Sequence, residues 1–215
     1  MESAASAAAS ICDAATGNIV ANCGFESGHF SSWTLSGNLE GGAPPNNFYG
    51  VDNTIPNSGV YQAYFGVQGG PNSVPPTAPN AIYPITLSQA ITLLPAEFYS
   101  VSFYLAQDGP TPGPSCPDPG CTNYFAAYLN GIPLYAVKDQ ANTNGYAQIQ
   151  LMTATSAGGS PNGLRFDFQN NDDYWFLDDV DVAPLGPTPE PASWLLVGPT
   201  LGGLLLLVRY RRRSA

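Results

Sequence analysis

The chain has 215 residues and combines 23 glycines, 21 prolines and 12% aromatic residues with a formal net charge of −10. This composition is typical of an all-β domain with many turns, and its aromatic content argues against a disordered chain. Before Pro187 the basic residues are Lys138 and Arg165. We therefore expect no nucleic acid partner, because binding a phosphate backbone requires a basic surface.

The N-terminus begins with the small residues MESAASAAAS. These resemble the cleavage region of a signal peptide, although the charged and apolar regions of such a peptide are missing. We interpret residues 1–16 as the remnant of a signal peptide or a disordered N-terminus.

The chain has four cysteines, an even number. In an exported protein an even number indicates disulfide bonds, and pairing between near neighbours is the simplest arrangement. Zinc is the alternative, but no histidine or further cysteine lies near enough in sequence to complete four ligands. The predicted disulfides are Cys12–Cys23 and Cys116–Cys121.

Residues 17–184 contain several segments in which apolar and polar residues alternate, as in a half-buried strand. Asn130-Gly131 lies between two such segments and predicts a type I′ hairpin. No segment before Pro187 has a sustained helical pattern. We predict an all-β domain, a β-sandwich of the jelly-roll type. The alternating segments are 61–67, 99–106, 147–151 and 164–168.

Three tyrosines, Tyr64, Tyr104 and Tyr128, fall on the face opposite the apolar row of their strands. Aromatic rings in such positions could stack on sugar rings, with Asn and Gln side chains binding hydroxyl groups. The alternative is that a loop covers this face, or that the tyrosines are simply exposed.

The segment from Trp175 to Val182 closes the domain. If its even-numbered face points inward, Asp178 is a carboxylate in a core row, where an unpaired charge is costly. A cation could compensate it, or the carboxylate could cap a backbone N–H group. The preceding Asn170-Asn171-Asp172-Asp173 could bind a second cation, but we favour a turn stabilised by its own side chains.

The C-terminal tail has an apolar stretch, Trp194 to Val208, which as a helix would span about 22 Å. A bilayer core is about 30 Å thick, so flanking residues must complete the span. Four arginines follow it, which argues against a buried core helix and favours a cytoplasmic C-terminus. We predict a linker at 185–192, a transmembrane helix at 193–210 and a basic cytoplasmic end at 211–215.

Pro189-Glu190-Pro191-Ala192-Ser193, the apolar stretch and the arginine cluster together resemble the PEP-CTERM sorting signal of Gram-negative bacteria. The resemblance covers residues 189–215. It implies that an exosortase recognises Pro189, Glu190 and Pro191, and that the inner membrane holds the protein transiently. The implied destination is the cell surface or the extracellular, biofilm-type polysaccharide matrix.

A second resemblance covers roughly residues 17–183. Asn22-Cys23-Gly24-Phe25-Glu26 with Trp33, and Leu177-Asp178-Asp179-Val180, look like the opening and closing motifs of galactose-binding-like jelly rolls, including carbohydrate-binding modules. Cys23 stands where the pattern usually has glycine. The resemblance implies a structural calcium ion shared by Glu26 and Asp178, a hard cation that takes oxygen ligands.

Catalysis has little support in the sequence. The chain has one histidine, His29, and lacks the motifs of serine hydrolases, zinc proteases and phosphate-binding loops. We predict a non-catalytic exported protein that binds polysaccharide. The alternative is a structural or adhesive surface protein that acts through protein contacts and has no sugar site.

Overall fold

The computed structural model describes residues 9–37, 39, 48–66, 84–95, 97–109, 123–154, 163–170 and 173–185. Within these ranges the chain forms one short helix and ten strands. The helix is α1, Ile11–Ala14. The strands are β1 Thr34–Gly37, β2 Tyr49–Asp52, β3 Gln62–Phe65, β4 Ile85–Gln89, β5 Phe98–Gln107, β6 Asn123–Leu129, β7 Ile132–Lys138, β8 Ala147–Ala154, β9 Leu164–Asn170 and β10 Trp175–Pro184.

The strands form two five-stranded sheets. Sheet A has the order β1-β4-β9-β6-β7, and sheet B has the order β2-β3-β10-β5-β8. All of their pairings are antiparallel. From β3 onward the chain passes repeatedly from one sheet to the other, which is the winding of a jelly roll. The predicted all-β sandwich is therefore confirmed.

Aromatic side chains from the two sheets meet in the core. The rings of Phe65 in sheet B and Phe168 in sheet A are stacked, with centroids 3.9 Å apart. Trp175 packs against Phe125 at 5.7 Å across the same interface. Burying one such side chain contributes about 1.5–3 kcal/mol, so these contacts dominate the attraction between the sheets.

The inward rows follow the alternation of the sequence in most strands. In β5 the residues Val101, Phe103 and Leu105 lie in the core, as their spacing predicts. In β9 the same holds for Phe166 and Phe168. The predicted hairpin between β6 and β7 is also confirmed. Asn130 and Gly131 have φ values of 54° and 77°, the left-handed backbone that a type I′ turn requires.

The closing strand β10 departs from the predicted single inward face. Trp175 and Leu177 point into the core, and so do Val180 and Val182. The inward row therefore changes from odd to even positions. The register shifts between Asp178 and Asp181, which is a β-bulge, and an extra residue in one strand moves all later side chains to the other face. Asp178 consequently lies on the outer face of sheet B and not in the core between the sheets.

The N-terminal segment is part of the domain from residue 9 onward, which corrects its interpretation as a remnant or disordered end. Ser10 caps α1 by accepting a hydrogen bond from the Asp13 N–H group. The Cys12–Cys23 disulfide is confirmed, with the two Cα atoms 6.0 Å apart. The Cys12 N–H group donates to Asp179 Oδ1 at 3.3 Å, which fixes α1 to β10.

Several further predictions fall on residues that the structure does not describe. Cys116, Cys121 and the sorting motif at 189–191 lie outside the described residues, as does the predicted transmembrane helix at 193–210. Among the helices of the described residues, none is long and apolar enough to cross a membrane.

Candidate functional site

The outer face of sheet B carries a set of aromatic and polar side chains, and the strand register sets their positions. Phe176 lies between Tyr64 of β3 and Ala106 of β5. One row further along, Asp178 lies opposite Tyr104, which lies opposite Gln148. On the other side of β10, Gln62 pairs with Asp52.

The Tyr64 ring lies over Gly50 of β2, a residue that has no side chain. A Cβ atom at Gly50 would lie 2.6 Å from the Tyr64 hydroxyl oxygen, so only glycine leaves room for the ring. The ring of Tyr174 meets Tyr64 edge-on at 5.5 Å, and Phe176 lies 6.3 Å from Tyr174. Burial, then Asp52 and Tyr174, raise the pKa of Tyr64. These contacts form an aromatic cluster at one end of the face.

Two polar groups of this face are buried without a hydrogen-bond partner in the structure. Gln62 is buried and its Nε2 donates to Asp52 Oδ1, but its Oε1 atom has no partner. The Tyr146 hydroxyl is likewise buried and unpaired. Burial raises the pKa of Tyr146, and the charges of Asp178, Asp179 and Asp52 add to the effect. Because buried polar atoms are normally hydrogen-bonded, each of these two groups is a candidate for binding a buried water molecule.

The three tyrosines of the predicted sugar surface do not lie together. Tyr64 and Tyr104 share the outer face of sheet B, whereas Tyr128 belongs to β6 in sheet A. The Arg165 guanidinium lies 3.9 Å above the Tyr128 ring, and the hydroxyls of Tyr128 and Tyr124 are 3.3 Å apart. One face of the Tyr128 ring is thus covered. Tyr128 therefore lies on a different sheet from Tyr64 and Tyr104, and sugar stacking by these tyrosines stays a prediction.

Glu26 and Asp178, the predicted calcium ligands, both bind the loop of residues 57–61. Asp178 Oδ2 accepts the N–H groups of Asn57 at 2.8 Å and Ser58 at 3.2 Å. The Glu26 carboxylate accepts those of Val60 and Tyr61 at 3.0–3.3 Å. Two carboxylates distant in sequence therefore hold adjacent parts of one loop.

Asp179 extends this arrangement. Its carboxylate accepts the Asn57 side-chain amide at 2.8 Å and the Ser58 hydroxyl at 2.7 Å. Asp178 is fully buried, and burial raises its pKa to about 8, with the neighbouring Asp179 charge as a second cause. The backbone N–H groups of residues 57, 58 and 179 act in the opposite direction.

These contacts bear on the predicted calcium ion. Calcium needs oxygen ligands, whereas the loop offers N–H donors to the oxygens of Glu26 and Asp178. In this geometry the pair fits hydrogen bonding to the loop better than one shared ion, and the calcium ion stays a prediction. Among the described residues, the cluster with three potential ligand groups is Cys12, Asp13 and Cys23. It is not a metal site, because both sulfur atoms form the disulfide.

Sequence reasoning missed several residues of this face. Tyr146 has the same parity as Gln148 and Gln150, so extending the alternating segment at 147–151 by one residue would have placed it on the outer face. Asp52 and the loop at 57–61 gave no comparable signal, because β2 is only four residues long.

No protein-family model and no curated protein matches the chain. Among solved structures, the enzymatically active domain of tailspike protein 4 of bacteriophage CBA120 is similar to 78% of this chain, with 13% sequence identity and a TM-score of 0.49. The chain spans only 21% of that protein.

This chain covers two further solved structures almost completely. The CBM22-1 xylan-binding domain of Paenibacillus barcinonensis Xyn10C has 13% identity and a TM-score of 0.46, with 86% of this chain and 100% of that chain covered. A cyclase from Fischerella sp. TAU has 14% identity and a TM-score of 0.48, with 81% and 99% covered. Similarity at this level identifies neither a ligand nor an activity for this chain.

Proposed function

We propose that this chain is an exported, non-catalytic protein of the cell surface or extracellular matrix, and that it binds polysaccharide on the outer face of sheet B. The observation that carries the proposal is the combination on one sheet face of the Tyr64 aromatic cluster with the polar side chains of Asp52, Tyr104 and Gln148. Aromatic faces pack on the apolar faces of sugar rings, and amide and hydroxyl groups bind sugar hydroxyls.

The arrangement of the side chains on this face suits an extended ligand. The aromatic cluster and the polar side chains of Asp52, Tyr104 and Gln148 lie in neighbouring rows across the strands of sheet B. A chain of sugars lying across the strands would meet aromatic contacts along one edge and hydrogen-bonding groups along the other. The acidic surface favours a neutral polysaccharide over an acidic one, because the net charge is −10.

The tail determines the proposed location. Pro189 to Pro191, the apolar stretch and the arginines support recognition by an exosortase in the inner membrane of a Gram-negative bacterium. In this proposal the membrane segment is a transient intermediate, and the domain works outside the cell. A structural calcium ion at Glu26 and Asp178 remains part of the proposal.

Affinity electrophoresis of the full chain through gels containing the exopolysaccharide of its own host tests the binding proposal. We expect Tyr64→Ala to lose the retardation that the unchanged protein shows. Tyr128→Ala, on the other sheet, is the matched control and should remain retarded. If both variants behave like the unchanged protein, the outer face of sheet B is not the binding surface.

The alternative function, adhesion through protein contacts, also has an observation in its favour. Phe98 and Met152 are 55% and 77% exposed near the end of the β5–β8 pair. Exposed large apolar side chains of this kind are typical of contact surfaces when they cluster. A protein that ignores the host polysaccharide but loses cell attachment on Phe98→Ser with Met152→Ser would support this alternative.

A further inference from the structure

Strand β8 forms one edge of sheet B. It pairs with β5 on one side, and no strand of the described residues pairs with its other side. The register between β8 and β5 is continuous from Ala147 to Ala154. A long and regular edge of this kind offers a row of backbone N–H and C=O groups to a further strand.

Among the described strands, the other three edges of the sandwich are protected against such pairing. The edge strands β1 and β2 are only four residues long, and β2 ends at Asp52. The edge strand β7 contains Pro133 and ends at Lys138, and its register with β6 shifts part of the way along. Short strands, proline, charges and irregular pairing are the features that prevent edge-to-edge association. β8, with eight residues of sequence AQIQLMTA, has none of these features.

The charge distribution favours a second copy of this chain at the β8 edge. Neither β8 nor the neighbouring strand β5 contains a charged residue. The chain has a formal net charge of −10, so most contacts between two copies bring like charges together. A contact along β8 avoids this repulsion. Met152 of β8 is 77% exposed and adds apolar surface that a second copy would cover.

The sequence of β8 is compatible with pairing to itself. In an antiparallel pair, opposite side chains lie on the same face, and a two-fold axis places one residue opposite its own copy. With Gln150 on the axis, Ile149 lies opposite Leu151 of the second copy. Both are half-buried and pack against the core, so the apolar row continues from one copy into the other. On the outer face, Gln148 lies opposite Met152 of the second copy.

We propose that β8 pairs antiparallel with β8 of a second copy and joins the two copies of sheet B into one continuous sheet. The pairing uses this edge of both copies, so the assembly closes as a dimer and does not extend into a fibre. The edge at each end of the joined sheet is then β2, which is short and ends at Asp52. Dimerisation of this kind does not depend on polysaccharide binding.

Sedimentation equilibrium of the full chain, in a detergent of matched density, tests the proposal. We expect a monomer–dimer equilibrium in the unchanged protein. Gln150→Lys should raise the dissociation constant of the dimer at least about tenfold, because it places two like charges opposite each other on the axis. Gln150 is exposed, so the fold can accept the lysine.

Ser36→Lys is the matched control for the added charge. Ser36 is an exposed residue of the edge strand β1 in the other sheet, so this variant should dimerise like the unchanged protein. An unchanged protein that is monomeric at all concentrations overturns the proposal. Equal dimerisation of Gln150→Lys and the unchanged protein also overturns it, because the copies would then meet elsewhere, for example through the apolar tail.

Cysteine cross-linking tests the register. Opposite residues of an antiparallel pair have Cα atoms about 4.5–5.5 Å apart, which a disulfide can bridge. Gln150→Cys should therefore give a covalent dimer under mild oxidation on a non-reducing gel. Gln148→Cys is the matched control, since its copy would lie four residues away along the strands, about 13 Å, and should not cross-link. No covalent dimer from Gln150→Cys, or equal cross-linking of both variants, contradicts the pairing.

Discussion

Glu26 and Asp178 hold adjacent parts of one loop, although they lie at opposite ends of the domain sequence. Asp178 accepts the N–H groups of residues 57 and 58, and Glu26 accepts those of residues 60 and 61. The opening and closing motifs thus meet through the loop between β2 and β3. This gives both carboxylates a structural role that does not depend on a bound ion.

The first prediction concerns this role. Asp178→Ala leaves the N–H groups of residues 57, 58 and 179 without their acceptor, and we expect the free energy of unfolding to fall by about 2–4 kcal/mol. Asp178→Asn keeps one acceptor oxygen and should cost less. Urea denaturation in the presence of EDTA measures both effects. Equal stability of all three proteins would show that the loop is held by other contacts.

A second prediction follows from the raised pKa of Asp178. The ordinary value of 3.8 applies to the unfolded chain, and the folded value is about 8. Between these values the folded protein retains a proton that the unfolded chain has lost, so stability falls as the pH rises. The melting temperature in EDTA should therefore decrease from pH 5 to pH 8.

Asp178→Asn is the control for this pH dependence. The variant has no carboxyl group at this position, so its melting temperature should change less over the same range. Asp173, whose pKa is raised to about 6, accounts for part of the remaining slope. A melting temperature that rises from pH 5 to pH 8 in the unchanged protein would contradict the burial of an uncompensated Asp178 carboxyl.

The third prediction concerns the disulfide. Cys12 and Cys23 are 11 positions apart, and a crosslink closing a loop of this size stabilises a protein by about 2–3 kcal/mol. We expect Cys12→Ser with Cys23→Ser to lose that amount in urea denaturation. Adding reductant to the unchanged protein should have an effect of similar size. If reductant destabilises the double variant equally, another bond is responsible.

The fourth prediction concerns Gly50. Its replacement by alanine would place a Cβ atom 2.6 Å from the Tyr64 hydroxyl oxygen and force the ring to move. Because the ring is on the outer face, we expect weaker polysaccharide binding in affinity electrophoresis and a stability change of only about 1 kcal/mol. Tyr128→Ala again serves as the control. Full binding by Gly50→Ala would show that the position of Tyr64 is unimportant.

The fifth prediction concerns the tail. Replacing Pro189, Glu190 and Pro191 by alanines should leave the protein full-length in the inner membrane of its host. The unchanged protein should have a mass ending near Pro191 and should be found outside that membrane. Intact mass spectrometry with cell fractionation gives both results. A full-length, membrane-bound protein in both cases would make the tail a plain anchor.

The inner rows of the sandwich could be predicted from the sequence, because burial on one face of a strand imposes a period of two. Val101, Phe103 and Leu105 illustrate this. Asn130-Gly131 shows that a turn can be predicted in the same way when it requires a left-handed backbone, which few residues adopt. In both cases the signal lies within a few consecutive residues.

The bulge in β10 could not be predicted in this way. Asp178 and Asp179 break the alternation, but a pair of carboxylates does not indicate which of them changes the register. Likewise, the separation of Tyr128 from Tyr64 depends on the order of strands in each sheet. Pairing between distant strands leaves no local pattern, so the composition of a binding face remains hidden even when each strand is correctly identified.

The central position of β10 has a mechanical consequence. β10 is the last described strand before the tail, and it lies between β3 and β5 in the middle of sheet B. A force applied through an attached C-terminus would act along β10 and load its hydrogen bonds to both neighbours together. Strands loaded in this shearing direction must break many bonds at once. The described part of sheet B is therefore arranged to resist extension from the C-terminal end of β10.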